Sequence, residues 1–256
     1  MRKIFLIMIF INSLFCYSQN NIKLHKYTSL ISNHFENKTV IKIINDGIFP
    51  VTVTIDPVIQ LEIITDIFFP YTGTINQKSF LEFEIKGKYA IEKIKNWIYL
   101  KTGSININYS NNNIYIYPFY LSSNIVLSQN INGGYTHKGE YKYAIDWKMD
   151  EGTPIFAARN GTVVDIESSF DKNGLTDDYL SKTNYILILH DDNTIAEYIH
   201  LKKDGINCKI GNIVKQGDLI GYSGNTGFSS GPHLHFCVHK TLSGTKRESI
   251  KIKFKK

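Results

Sequence analysis

From about Asn20 to Ser123 the chain alternates apolar and polar residues at a period of two, and this pattern restricts its fold more than any other feature. Val51, Val53 and Ile55 alternate with Thr52 and Thr54, Leu81, Phe83 and Ile85 with Glu82 and Glu84, and Ile105 and Ile107 with Asn106 and Asn108. Side chains two apart share one face of a strand, so each run describes a strand with one face in a core and the other toward water. Segments such as Asn45-Asp46-Gly47 and Tyr71-Thr72-Gly73 supply the reversals between runs. Composition agrees: 13% of the residues are aromatic and Ile, Thr, Tyr and Val are abundant, residues that suit a pleated surface. With 43% hydrophobic and 20% charged residues the chain has the balance of a globular protein. An all-β fold is expected, in which residues 19–123 form an antiparallel β-sandwich of immunoglobulin-like size.

The first residues read as a secretory signal. Arg2 and Lys3 precede an apolar run from Ile4 to Phe15, and Cys16-Tyr17-Ser18 places small residues where signal peptidase cuts. The run is shorter than the ~20 apolar residues of a membrane-spanning helix. Residues 1–18 are therefore expected to be removed by cleavage near Ser18, leaving a secreted or periplasmic chain with no membrane span. Lipid attachment at Cys16 is the weaker alternative, because bulky Phe15 precedes it, and an uncleaved anchor is the other. Without Arg2 and Lys3 the formal charge falls from +6 to +6 − 2 = +4, which suits an anionic polymer such as a cell wall without demanding one. No nucleic-acid-binding motif accompanies it. After cleavage Cys208 and Cys237 remain, and a disulfide and two buried thiols are both open.

Beyond a join at Tyr117 to Gln129 the glycines concentrate, marking sharp reversals between short strands, and residues 124–256 are expected to form a second domain. The polar stretch Ser168 to Thr183 reads as a long surface loop of the kind that borders binding sites. Six of the eight histidines follow residue 130, whereas His25 and His34 read as surface residues. In Gly231-Pro232-His233-Leu234-His235-Phe236, His233 and His235 share a strand face. Tyr198 and His200 form a second same-face pair, and His137 with Asp146 a third element; His190 reads as the end of a strand and His239 as a surface residue. Imidazole nitrogen and carboxylate oxygen are zinc ligands, and a site with three protein ligands leaves one position for water. No HExxH helix is present to supply a glutamate base.

These motifs, in this order, resemble the M23 zinc metallopeptidases, the lysostaphin-like or LytM-like endopeptidases. The resemblance covers about Val126 to Phe254 and is carried by six segments. The first three are Tyr143-Ala144-Ile145-Asp146, Gly152-Thr153-Pro154 through Gly161-Thr162-Val163-Val164, and Tyr198-Ile199-His200-Leu201. The others are Val214 through Gly221, Ser223-Gly224-Asn225-Thr226-Gly227 and His233-Leu234-His235. The resemblance implies an antiparallel β peptidase domain of the LytM-like, duplicated-hybrid-motif kind. It implies Zn2+ held by His137, Asp146 and His235, with His200 and His233 in catalysis. Beside these, Tyr198 is a candidate substrate contact that a strand tyrosine's usual place in the core opposes, and Asn225 either borders the cleft or forms a turn. One departure stands out: the family's usual first ligand lies four residues before the aspartate, where this chain has Lys142, whose ammonium has no lone pair to give. His137, nine residues before Asp146, takes the place as in members with a longer loop. The function implied is endopeptidase action on bacterial peptidoglycan, of unspecified bond, and the alternative is a non-catalytic LytM-like activator of other cell-wall hydrolases. A biotinyl- or lipoyl-type carrier is opposed by the lack of a suitable hairpin lysine.

Overall fold

The computed structural model of the protein describes residues 18–57, 67–110 and 113–255. The expected signal segment, with Cys16, lies outside the described residues apart from Ser18.

The N-terminal part comprises β1 (Ser18–His25), β2 (Thr28–His34), β3 (Lys38–Asn45), β4 (Val51–Ile55), β5 (Tyr71–Ile75), β6 (Ser79–Lys86), the short helix α1 (Ile91–Lys95) and β7 (Ile98–Thr102). They form a four-stranded sheet in the order β1-β2-β3-β6 and a three-stranded sheet in the order β5-β4-β7. The apolar positions of the alternating runs meet in one core, with Leu30, Ile41, Ile43, Phe83 and Ile85 of the first sheet against Val53, Ile55 and Ile75 of the second, closed by Ile91, Ile94 and Trp97. The four-plus-three split has the expected size. The order does not follow the constant-type immunoglobulin arrangement, because β1, β2 and β3 are consecutive neighbours.

The C-terminal part contains β8 (Ile114–Tyr115), β9 (Val126–Gln129), β10 (Ile145–Lys148), β11 (Pro154–Phe156), β12 (Gly161–Glu167), β13 (Asn173–Gly174) and β14 (Tyr185–Leu189). It continues with β15 (Ile195–Ile199), β16 (Leu201–Ile206), β17 (Ile213–Val214), β18 (Leu219–Ser223), β19 (Gly227–Phe228), β20 (His233–Thr241), β21 (Arg247–Ser249) and β22 (Lys253–Phe254). An eight-stranded sheet runs β17-β12-β14-β15-β20-β10-β9 with β21 added to β20, and a three-stranded sheet runs β11-β18-β16. Alternation along the central strands divides the large sheet into two faces. Ile186, Ile188, Ala196, Tyr198, Leu234, Phe236 and Trp147 pack with Ile155 and Ile220 of the small sheet in the main core. The residues between them, including Asp146, Glu197 and His235, belong to the other face.

Three sequence expectations change in the fold. Ile105 and Ile107 belong to no strand: the chain leaves β7 and runs along the C-terminal domain, where the Asn108 amide donates to the Asp192 carbonyl. From there Tyr109, Tyr115, Tyr117 and Phe119 pack on the C-terminal core, so this segment, expected in the first domain, is part of the second. Thr52 and Thr54, on the polar side of their run, are buried, because Thr52 donates to the Gly103 carbonyl and Thr54 Oγ accepts the Gly244 amide of the C-terminal domain. The domains also share apolar contact: Phe49 and Val51 pack against Val164, Leu187 and Ile195. Cys208 and Cys237 are separate buried thiols.

Phe49 is 3% exposed in that contact. Phe49→Ala is expected to lower stability by about 3–5 kcal/mol through the cavity it leaves, and Phe49→Leu by less than ~1.5 kcal/mol. Urea denaturation of the full chain measures both, and an unchanged midpoint for the alanine variant would contradict the packing described.

Candidate metal centre and groove

The site is built on a register. On neighbouring antiparallel strands, Asp146 of β10 lies directly opposite His235 of β20, and Lys148 opposite His233. Residues so paired have Cβ atoms about 4.5–5.5 Å apart, so strand pairing alone puts a carboxylate beside an imidazole. His137 arrives from the loop before the 3-10 turn Gly139–Tyr141. Its Nδ1 lies 2.9 Å from the Asn130 carbonyl. A carbonyl only accepts, so Nδ1 carries the proton and Nε2 presents a bare lone pair. That Nε2 is 3.1 Å from Asp146 Oδ1, and His235 Nδ1 is 2.8 Å from the same oxygen.

Despite these distances, His137 Nε2 and Asp146 Oδ1 are buried and make no hydrogen bond, so their lone pairs are not aimed at each other. Ligand atoms of His137, Asp146 and His235 all lie within 4.8 Å of one another, in the arrangement of groups directed at a common point. Two imidazole nitrogens and one carboxylate oxygen match the donors zinc takes in catalytic sites. Lys142, exposed beside the Tyr143 ring, takes no part in the cluster.

His200 reaches the site through a backbone distortion. It stands between β15 and β16 with φ of 64°, in the left-handed region that a non-glycine residue seldom adopts. This interrupts the alternation of β15, so Tyr198 and His200 do not share a face. His200 joins Ile199 and Glu197 along the groove, whereas Tyr198 is wholly buried on the opposite face, its hydroxyl accepting the Ala158 amide at 2.8 Å. Of the two places open to Tyr198 in the sequence, groove and core, its burial corresponds to the core.

The two remaining histidines are held by carbonyls. His200 Nδ1 donates to the Thr226 carbonyl at 2.7 Å and His233 Nδ1 to the Gly231 carbonyl at 2.8 Å, leaving Nε2 of each as an acceptor. Burial and the nearby His233 and His235 push the His200 pKa down to about 3, and burial also lowers that of His233, so both rings are neutral at pH 7. Their centroids are 4.4 Å apart. The Ser229 hydroxyl sits 3.2 Å from His233 Nδ1 and 2.7 Å from Asn225 Oδ1. Asn225, open in the sequence between cleft and turn, accepts from this hydroxyl and is not among the described residues lining the groove.

Above the cluster lies a groove of about 690 Å³. Tyr135 forms one wall and Leu175 and Leu180, from the loop expected at Ser168 to Thr183, form another; all three are exposed. Every described residue lining it comes from Ser128 onward, so the N-terminal sheets contribute nothing to its lining. His190 is buried outside it, its Nδ1 bonded to the Asn160 carbonyl. His239, expected at the surface, is 1% exposed and paired with Glu197. Ser229 and the Glu197–His239 pair were missed in the sequence, since only the strand register and the loop path bring them to the site.

Residues 140–249 match Peptidase family M23, and the C-terminal domain belongs to that family. The matched segment contains Asp146, His200, His233 and His235 but begins after His137, whose place rests on the geometry above. An uncharacterized metalloprotease of Buchnera aphidicola is 41% identical over 113 residues, 43% of this chain and 27% of that protein. Lysostaphin of Staphylococcus staphylolyticus is 37% identical over 107 residues, 41% of this chain and 19% of the relative. The peptidoglycan DD-endopeptidase ShyA of Vibrio cholerae is 37% identical over 91 residues, 36% of this chain and 18% of the relative. The chain thus spans between 18% and 27% of the length of these three relatives.

Tyr198→Phe is expected to lower stability by about 1–3 kcal/mol, the cost of leaving the Ala158 amide without an acceptor, while zinc uptake stays unchanged. Urea unfolding and metal analysis of the same preparation test this; lost zinc uptake with wild-type stability would return Tyr198 to the site.

Proposed function

We propose that this chain is a secreted, zinc-dependent endopeptidase that hydrolyses peptide bonds of bacterial peptidoglycan. The observation that carries the reading is the buried His137–Asp146–His235 cluster, in which His137 Nε2 and Asp146 Oδ1 are unpaired, beneath an open groove that also holds two neutral histidines. Zinc bound there would supply Lewis-acid polarisation of a carbonyl and a water acidic enough to serve as nucleophile near neutral pH.

The rest of the chemistry belongs to the chain. His233 Nε2, fixed as an acceptor by the Gly231 carbonyl, is placed to take the proton of the attacking water and return it to the leaving amine. His200 Nε2, fixed in the same way by the Thr226 carbonyl, lies beside it and orients the water or receives a hydrogen bond from it. Tyr135, Leu175 and Leu180 offer apolar surface along which an extended peptide can lie. The peptidoglycan substrate is supported by family membership and by relatives named lysostaphin and peptidoglycan DD-endopeptidase. Export is supported by the leader at residues 1–18, and among the described residues no helix is long and apolar enough to cross a membrane. A non-catalytic activator would have no need of a complete ligand set with two catalytic histidines beside it, which disfavours that alternative.

Purified wild-type chain is expected to hold about one zinc per chain and to release peptide fragments from peptidoglycan. His233→Ala should keep the metal and lose about 10²–10⁴-fold in turnover, whereas His137→Ala and His235→Ala should lose metal and turnover together. Metal analysis and mass spectrometry of released fragments distinguish these outcomes. Full turnover by His233→Ala, or a wild-type protein that takes up no zinc, would defeat the reading.

A further inference from the structure

The face of the large sheet that holds the metal cluster carries one more buried carboxylate, which the chemistry above does not use. Glu197 on β15 lies directly opposite Cys237 of β20, so its diagonal neighbours on that strand are His235 and His239. Diagonal partners across antiparallel strands lie about 7–8 Å apart, within reach of a long side chain. Glu197 is 7% exposed and lines the base of the groove, where it and Asp146 are the only acidic residues among the described lining. Its Oε2 accepts the Nε2–H of His239 at 2.8 Å. Tyr141 closes over the cluster, edge-on to His235 and His239 with ring centroids 5.3 and 5.5 Å away.

His235 has the complementary need. Its Nδ1 faces Asp146 and is the nitrogen that can offer a lone pair to a metal. A neutral imidazole that uses Nδ1 as a ligand keeps its proton on Nε2, and the Nε2 of His235 is buried with no hydrogen-bond partner. A buried N–H without an acceptor is costly, and metal-ligating histidines ordinarily give that N–H to a carboxylate, a carbonyl or water. Glu197 is the carboxylate that the strand register sets on the diagonal from it, beyond hydrogen-bond distance here, so its side chain must turn toward His235 to close the bond. His239 occupies one carboxylate oxygen and leaves the other available.

We propose that Glu197, braced by His239, is the outer carboxylate of the metal centre, accepting the Nε2–H of His235 so that Nδ1 stays unprotonated and aimed at the ion. This rests on the reading of His137, Asp146 and His235 as metal ligands and adds to it a positioning residue that never touches metal or substrate. It also gives a reason for a buried Glu–His pair so close to the site, since a carboxylate shared between two imidazoles holds one ligand in place from behind.

The test measures zinc affinity of the full chain by competition with a chromophoric chelator at fixed pH, beside the thermal midpoint of the metal-free protein. Glu197→Ala should weaken zinc binding about 10–100-fold. Glu197→Gln keeps an acceptor of the same shape without the charge, so it should lose less; being isosteric, it carries the test if the alanine variant fails to fold. In the zinc-loaded wild type, ring-nitrogen NMR should find the His235 proton on Nε2, in slow exchange with water, and that exchange should speed up in both variants. Unchanged zinc affinity in a folded Glu197→Gln or Glu197→Ala protein, even with a lowered thermal midpoint, would overturn the proposal by reducing the pair to a structural role. If the wild type itself binds no zinc, the metal-centre reading fails, and this inference with it.

Discussion

The pairing of β10 with β20 is the contact on which the site depends. It sets Asp146 against His235, so the two side chains are as close as any cross-strand pair and need no loop to deliver them. The next rung sets His233 above His235 on the same face, and β15, pairing with β20 from the other side, brings Ile199 opposite His235 with His200 immediately after it. One strand between two partners thereby gathers four of the five site residues. A slip of one residue in that register would turn all of its histidines into the apolar core.

Rigidity at the base of the groove comes from the opposite face of the same strands. Leu234 and Phe236, alternating with the histidines, are buried against Tyr198 and Trp147, and the Tyr198 ring lies 5.0 Å from that of Phe236. A close-packed core does not permit small displacements without loss of contact, so the spacing of the clustered side chains is inherited from the packing beneath them. The N-terminal part bears on the same sheet from the groove side, but at Val164, Leu187 and Ile195, away from the described lining of the groove. At that position it covers apolar surface and joins the two parts mechanically.

Much of this was legible from residue order. Period-two alternation identified strands such as β4 and β6, and clustering of histidines after residue 130 with the His233-Leu234-His235 spacing located the metal-binding half. The misreadings have separate physical causes. Alternation at Ile105 and Ile107 is a local property, whereas the chain there makes its contacts to a distant segment around Asp192. Tyr198 and His200 look like same-face partners only while the strand stays regular, and the left-handed φ of His200 ends that regularity. His239 resembled a surface residue because its partner, Glu197, lies 42 positions away.

The sequence by itself determined which side chains are able to bind metal, which strands can present them, and which family the C-terminal domain resembles, because ligand chemistry and strand periodicity are properties of residue type and spacing. Tertiary structure alone decided that His200 lines the groove while Tyr198 turns into the core, and that Glu197 and His239 lie buried as a pair. Each of these depends on where a loop path or a strand register brings distant residues together, and that is settled by the packing of the whole sheet.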